Sequence, residues 1–236
     1  MKYPGYIIII LVITLTFQSF LFAQSAKIDS LQFVVHREQD DTGKVNTMYQ
    51  LSNEYGKAYS YDSCVKYADS ALSLALKLKF TRGEAMAYWV KTYYPPTRED
   101  GMRYADRMKE IAVSLKDTLL IYRSYLSKGQ MLRSYELHAE AIQNFIQALK
   151  FAEVMGDKFN VAFCHMEIAN VHVMLGNDSA VLARCRLAEP TFTYLKKYSS
   201  LANCYLLTGV AYYNKKNYET AFQHLSIARS NSEKDT

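Results

Sequence analysis

The sequence predicts an all-α protein: an α-solenoid of about five antiparallel helical hairpins that follow an N-terminal signal segment. With only 9 glycines and 4 prolines in 236 residues, a collagen-like chain, a low-complexity linker and a turn-dense β-sandwich are all disfavoured. Small residues recur with a period of about forty residues, and apolar residues recur at helical intervals within each period. The formal charge of +5 is modest and dispersed, unlike the clustered basic face that binds nucleic acid.

Residues 1–23 are predicted to be a secretory signal peptide. Lys2 supplies a short basic start, and residues 7–15 form the first part of an apolar run. Ala23 is a small residue at the expected cleavage site. The alternative is an uncleaved anchor, because residues 6–22 number about 17, near the lower limit for crossing a bilayer. The rest of the chain is therefore expected to be exported and periplasmic, or else membrane-anchored and facing the periplasm.

Residues 24–44 are predicted to contain a short leading helix and a loop. Apolar residues at helical spacing indicate a helix over residues 27–35, and the polar segment Glu38–Lys44 then reads as the loop. The helical repeat array is expected to occupy residues 45–236.

Two sets of residues define the period of this array. Each set holds the residues at equivalent positions of successive repeats, and we call such a set a column. The first has steps of 40, 37, 40 and 40 and holds mostly small residues: Ser52, Thr92, Gly129, Ala169 and Gly209. The second has steps of 37, 40, 40 and 40: Ala71, Met108, Ala148, Ala188 and Ala228. Two columns that share one period, displaced by a single deletion in the second repeat, indicate an array of like structural units.

The last repeat shows the helical hairpin best. Small and large residues at helical spacing predict a first and then a second helix: Tyr205, Gly209 and Tyr212, then Ala221, Leu225 and Ala228. The link Asn214–Asn217 is too short for anything but antiparallel neighbours. A single hairpin cannot bury its apolar face, so the hairpins are expected to stack.

Proline and aspartate mark the expected helix ends. The pair Pro95-Pro96 is predicted to end the first helix of the second repeat, since proline lacks an amide donor and clashes with the preceding turn. Pro190 is predicted to end or kink the second helix of the fourth repeat. Asp62, Asp100 and Asp117 are predicted to begin helices, as acceptors for free amide groups.

These patterns resemble the tetratricopeptide repeat over about residues 45–230. The third and fifth repeats carry the resemblance best, with Tyr125, Gly129, Leu132, Ala141, Phe145 and Ala148, and with Tyr205, Gly209, Tyr212, Tyr218, Ala221 and Ala228. The period exceeds the commonest length of 34 for this family. It is similar to the longer repeats of exported bacterial proteins, including the repeat regions of sensor kinases. The resemblance implies a right-handed α-solenoid.

No motif for catalysis or cofactor binding is found. The glycines build no phosphate-cradling loop, and neither Gly-x-Ser-x-Gly nor His-Glu-x-x-His occurs. We therefore predict that the protein is not an enzyme and that it binds no cofactor.

One group of residues suggests a metal site: Cys164, His165, Glu167 and His172, with Cys185 on the neighbouring helix. Metal ligands must converge on one point. The two histidines are two turns apart, about 10 Å along the helix axis. They also occupy the positions of packing residues in the neighbouring repeats, so we interpret them as packing histidines and predict no metal.

The cysteines, Cys64, Cys164, Cys185 and Cys204, permit two interpretations. An even number in an exported chain allows disulfides. Each cysteine also lies among apolar residues at helical spacing, where a free thiol packs as a small hydrophobe. The second interpretation is favoured.

The resemblance places a partner-binding groove along the first helices. Carried over residue by residue, the groove consists of Tyr49, Asn53, Trp89, Tyr93, Arg123, Gln130, Arg133, Met166, Asn170, Asn203 and Tyr213. Aromatic residues and arginines are common anchors of protein interfaces, and an arginine can bind a partner's carboxylate through paired hydrogen bonds. The expected occupant is a protein or peptide. Nucleic acid is not expected, and membrane contact is expected only through an uncleaved signal segment.

The last helix is expected to leave apolar surface bare at Phe222, Leu225 and Ile227, because only eight residues follow Ala228. Bare apolar surface usually has a use, so a partner or a missing domain is expected there.

The sequence therefore predicts an exported, non-catalytic scaffold that binds a protein or peptide. The alternative is the sensory N-terminal region of a signal-transduction protein, a histidine kinase or a DNA-binding regulator, whose output domain lies beyond residue 236. That alternative rests on resemblance alone.

Overall fold

The computed structural model describes residues 26–234, which form eleven helices and no strand. Helix α1 is described from residue 26 and ends at residue 37. The others are α2 (Thr42–Lys57), α3 (Tyr61–Lys77), α4 (Thr81–Tyr93), α5 (Arg98–Ser114), α6 (Thr118–Ser134), α7 (His138–Val154), α8 (Lys158–Met174), α9 (Asp178–Tyr194), α10 (Tyr198–Asn214) and α11 (Tyr218–Ser232). The predicted all-α class is confirmed.

The predicted signal segment lies outside the described residues. Within the described part of the chain, no helix is long and apolar enough to cross a membrane. The leading helix is present and slightly longer than predicted. The loop after it is shorter, because the Asp41 carboxylate accepts a hydrogen bond from the Lys44 amide at 3.0 Å and so begins α2 at Thr42.

The chain forms two compact units, with the boundary between Pro96 and Thr97. In the first unit, α3 packs against α2 and α4, and α2 also contacts α4. In the second unit, α5 through α11 pack in chain order, each against the next. The first helices of successive hairpins also touch there, α6 against α8 and α8 against α10. Stacking therefore takes place within each unit.

The forty-residue period is confirmed as a structural period. Second helices begin at steps of 37, 40, 40 and 40, namely at Tyr61, Arg98, His138, Asp178 and Tyr218. All ten column residues are buried; Ser52, Ala169 and Ala188 have no exposed surface. The columns therefore mark where helices approach one another most closely.

The links after α2, α3 and α5 to α10 share one turn. In each, the second residue after the helix has φ between 51° and 67°: Tyr59, Lys79, Lys116, Glu136, Gly156, Gly176, Lys196 and Lys216. The following amide donates to a carbonyl five residues back, as Asn177 does to His172 at 2.9 Å. This is the Schellman ending of a helix. Only two of the eight residues are glycines, so the turn is poorly marked in the sequence.

Of the three aspartates predicted to begin helices, only Asp117 does so; its carboxylate accepts from an amide of the first turn at 3.1 Å. Helix α5 begins earlier, because Thr97 accepts from the Asp100 amide at 3.1 Å. Asp62 likewise lies in the first turn of α3, after Ser60. Both carboxylates still lie near the positive end of a helix dipole.

The prolines behave differently in the two predicted positions. Helix α4 ends at Tyr93, just before Pro95-Pro96, as predicted. Of the two effects predicted for Pro190, an end to the helix is wrong, because α9 continues to Tyr194; a kink stays a prediction. Both Pro190 and Arg186 are exposed, so water can bond to the carbonyl that loses its helical partner.

All four cysteines are buried and free, which supports their interpretation as core residues. Burial raises the pKa of the Cys164 thiol to about 12 and also raises that of Cys64. These thiols are therefore protonated and unreactive at neutral pH.

Candidate functional site

In the first unit, residues of α2, of α4 and the following Tyr94 line an open pocket of about 230 Å³. We call it the aromatic pocket; its lining is Asn53, Gly56, Lys57, Trp89, Val90, Tyr93 and Tyr94. Asn53, Trp89 and Tyr93 were predicted as groove residues from the sequence. The fourth predicted residue of this unit, Tyr49, lies against Trp89. The structure thus brings these four together.

The rings of the aromatic pocket hold one another in place. The Trp89 ring centroid lies 5.8 Å from that of Tyr49 and 5.8 Å from that of Tyr93, which it meets edge to face. The Tyr94 ring lies 4.9 Å from that of Tyr61. Edge-to-face and offset contacts at these distances are favourable beyond the area they bury. The cluster is therefore a preformed surface, of which Tyr93 remains 40% exposed.

Local sequence explains most of this placement. Tyr49 and Asn53 are four residues apart on α2, and Trp89 and Tyr93 are four apart on α4, so each pair shares one helix face. Gly56 makes room for the Tyr94 ring, since a Cβ on that glycine would lie 3.1 Å from the Tyr94 hydroxyl. Burial raises the pKa of Tyr94, which stays a neutral phenol.

Tyr61 and Tyr94 were not predicted from the sequence. Tyr94 follows the end of α4 and Tyr61 begins α3, so neither falls on the first-helix positions that carried the prediction. The available signal was the density of aromatic residues beside the Pro95-Pro96 pair.

In the second unit, Gln130 and Arg133 of α6 bind Glu167 of α8. The Gln130 amide donates to Glu167 Oε1 at 2.7 Å, and Arg133 Nη2 lies 3.4 Å from Oε2. Glu167 is only 4% exposed. The carboxylate expected from a partner is thus supplied to Arg133 from within the protein. A signal for Glu167 was present in the sequence, because the same register is filled by uncharged Ser127 and Leu207 in the adjacent repeats.

The remaining predicted groove residues differ in accessibility. Met166 is 4% exposed and packs in the core with Cys185 and Leu207, so it offers no surface to a partner. Arg123 and Asn170 are half-buried, whereas Asn203 and Tyr213 are exposed. The Tyr213 ring contacts the Tyr218 ring at 5.5 Å.

Two of the suspected metal ligands, His165 and Glu167, are engaged elsewhere. His165 Nδ1 lies 3.1 Å from Arg184 Nη1, a cation that would repel a metal ion, and Glu167 is held by α6. Among the described residues, no group of three or more His, Cys, Asp and Glu side chains is placed to hold a metal.

The two histidines of α8 make stability sensitive to pH. Burial first, and the nearby charge of Arg184 second, lower the pKa of His165 and of His172 below the usual 6.5. The folded protein therefore binds protons less readily than the unfolded chain. This contribution to stability is fully present above about pH 6.5 and is lost as the pH falls below that value.

We expect the midpoint of urea unfolding to be lower at pH 5.5 than at pH 7.5, and the decrease to be smaller in His165→Gln. His36→Gln, at an exposed histidine of the first unit, is the matched control and should leave the decrease unchanged. An equal decrease in wild type and His165→Gln would show that His165 is not responsible.

Comparisons with known proteins find solved structures of similar fold. No protein-family model matches the chain, and no curated protein is significantly similar to it. The STAND protein with a tetratricopeptide repeat sensor from Pyrococcus horikoshii is similar in structure, with a TM-score of 0.69 and 19% identity over 86% of this chain. This chain spans only 33% of the length of that protein.

Two shorter proteins are also similar. BtubC (BKLC) from P. vanneervenii matches with a TM-score of 0.67 and 10% identity, over 89% of each chain. A putative kinesin light chain with nearly identical TPR-like repeats, from Podosopora anserina, matches with a TM-score of 0.59 and 10% identity, over 84% of this chain and 99% of that one. At these identities the likeness shows the fold alone: a tetratricopeptide-like array of helical hairpins.

Proposed function

We propose that this protein is a non-catalytic scaffold that binds a protein or peptide, with the aromatic pocket as the anchor site. The observation that carries the proposal is the preformed cluster of Trp89 with its tyrosine neighbours around an open cavity. Tryptophan and tyrosine dominate binding energy at protein interfaces, and rings that are already ordered lose little conformational entropy on binding.

The size of the pocket favours a side chain of a larger ligand over a free small molecule. Sites for drug-sized ligands usually enclose roughly 300–1,000 Å³, whereas this pocket encloses about 230 Å³. One apolar or aromatic side chain fits such a volume. Asn53 and Lys57 add polar groups to the lining, and the Lys57 ammonium group pairs with Glu54 at 2.9 Å.

Binding can be measured directly, because Trp89 is the sole tryptophan of the chain. Peptides selected from a random display library against the purified protein would be titrated while Trp89 emission is recorded. We expect Tyr93→Ser to weaken binding at least tenfold, since removing the exposed ring deletes one wall of the pocket. Circular dichroism should stay unchanged.

Tyr194→Ser is the matched control. Tyr194 is 81% exposed and lies in the second unit, so its loss should leave the affinity unchanged. Selected peptides that bind wild type and Tyr93→Ser equally well would place the binding site outside the aromatic pocket.

A second candidate function is the sensory region of a longer signalling protein. It is favoured by the likeness to the STAND protein, which carries a tetratricopeptide repeat sensor and of which the match covers only 33%. Sequencing the gene past the codon for Thr236 distinguishes the scaffold from the sensory region. An output domain in the same frame supports the sensor, whereas an immediate stop codon supports the free scaffold.

Export of the scaffold is part of the proposal and rests on the basic start and apolar run of residues 1–23. After expression of the full chain in a Gram-negative bacterium, we expect a periplasmic protein whose N-terminal sequence begins at Gln24. Membrane-bound protein that keeps Met1 would support the anchor instead. Cytosolic protein that keeps Met1 would contradict export.

A further inference from the structure

The last hairpin, α10 and α11, exposes a face that is buried in the third and fourth repeats. Leu225 is 36% exposed. Its equivalents at the same register of the preceding repeats are no more than 2% exposed: Ala68, Ala105, Phe145 and Cys185. Leu206 of α10 is 46% exposed, whereas its equivalents Leu126 and Met166 are 9% and 4% exposed.

Phe222 extends the same face and is 73% exposed. Its equivalents Ile142 and Leu182 are partly buried and pack against the core clusters of their repeats. Ile227 is different: it is 41% exposed, but its equivalent Leu187 is 56% exposed. We call Leu206, Phe222 and Leu225 the open face, and exclude Ile227 from it because that register faces solvent elsewhere too.

The earlier repeats show what covers such a face. Phe145 of α7 packs in one buried cluster with Cys164, Ile168 and Val171, all from α8, the first helix of the next hairpin. The next interface repeats this arrangement, with Cys185 of α9 packed in a cluster with Cys204, Leu207 and Ala211 of α10. In both cases the covering helix presents small or apolar residues at positions i, i+3 or i+4, and i+7.

Helix α1 contacts the opposite side of the first hairpin, where a preceding second helix would lie. It is the first helix that the structure describes, and Lys27 forms an ion pair with Glu54 of α2 at 2.9 Å. Gln32 of α1 donates to the Tyr55 hydroxyl at 2.7 Å. Glu54 occupies the register of Val171 and Ala211, which pack against the preceding second helix. Within the described residues no helix follows α11 to play the corresponding part.

We propose that the open face is the docking surface for one amphipathic helix of a partner protein, with small or apolar residues at i, i+3 or i+4, and i+7. The partner helix continues the interface already formed by α8 on α7 and by α10 on α9. Because Leu225 is a large residue at the register of Phe145, the best match is the pattern of α8, with a small residue followed by branched aliphatic ones.

The test uses a labelled peptide with the sequence of α8, Lys158–Met174, kept reduced and titrated against the full chain by fluorescence anisotropy. We expect saturable binding that is weakened at least tenfold by Leu225→Lys and by Phe222→Lys. Ile227→Lys is the matched control and should change the affinity less than twofold. Phe222 is mostly exposed, so its replacement disturbs little packing. Loss of binding in Phe222→Lys therefore cannot be explained by misfolding of the variant.

A covalent version removes the dependence on peptide affinity. A copy of residues 157–174 appended directly after Thr236 starts its helix at position 238, which is 40 residues after the start of α10 at Tyr198. We expect this extension to raise the melting temperature by at least about 4 °C. The same extension with the residue copied from Ile168 changed to lysine should not raise it.

Three results would overturn the proposal. The first is equal peptide binding by wild type, Leu225→Lys and Phe222→Lys. The second is absence of both peptide binding and stabilisation by the extension. The third is a wild-type chain that dimerises in sedimentation velocity and becomes monomeric in Leu225→Lys, which would assign the open face to a second copy of this protein.

Discussion

Gly129→Leu is expected to lower the free energy of unfolding by about 3 kcal/mol, the upper part of the usual range for overpacking a core. A Cβ on Gly129 would lie 2.7 Å from the Phe145 ring. Phe145 is completely buried and its ring is rigid, so neither residue can move aside without shifting a helix. The loss would appear as an earlier midpoint in urea unfolding followed by circular dichroism.

The control is Gly209→Leu, at the equivalent position of the last repeat. A Cβ there would lie 2.8 Å from Leu225, but Leu225 is flexible and 36% exposed, so it can turn towards solvent. We expect a clearly smaller loss than for Gly129→Leu. Equal losses at the two sites would show that the two hairpins are packed alike and would contradict the open face.

Arg133→Ala is expected to cost about 2–3 kcal/mol of folding free energy. Removing one member of a buried ion pair typically costs about 3–5 kcal/mol, but the Arg133 side chain is 27% exposed and Gln130 still bonds to Glu167. The control Arg186→Ala, at an exposed arginine of α9, should cost less than about 0.5 kcal/mol.

A double variant separates this structural role from partner binding. In Arg133→Ala/Glu167→Leu, leucine replaces the buried carboxylate. Leucine is the natural residue at the equivalent position of the last repeat, Leu207. Most of the lost stability should return, because no charge is left unpaired in the core. An Arg133→Ala protein of wild-type stability would instead indicate that the guanidinium contributes little to the fold.

The candidate site was predictable to the extent that it depends on one helix face. Tyr49 with Asn53, and Trp89 with Tyr93, follow from i, i+4 spacing on two first helices. Tyr94 joins them through packing against α3, which no spacing rule describes. Arg133 and Met166 were also predicted as groove residues on first helices. In the structure, Arg133 pairs with the internal carboxylate of Glu167, and Met166 is buried.

The sequence by itself determined the class of the fold, its period and its hairpin links. These depend on local properties: helix periodicity, two columns of small residues and links too short for any but antiparallel neighbours. Tertiary structure alone decided the division at Pro96 and the pairing of Glu167 with α6. Each of these depends on which residues, distant along the chain, come to lie beside one another, and a helical period records which side of a helix is buried but not what buries it.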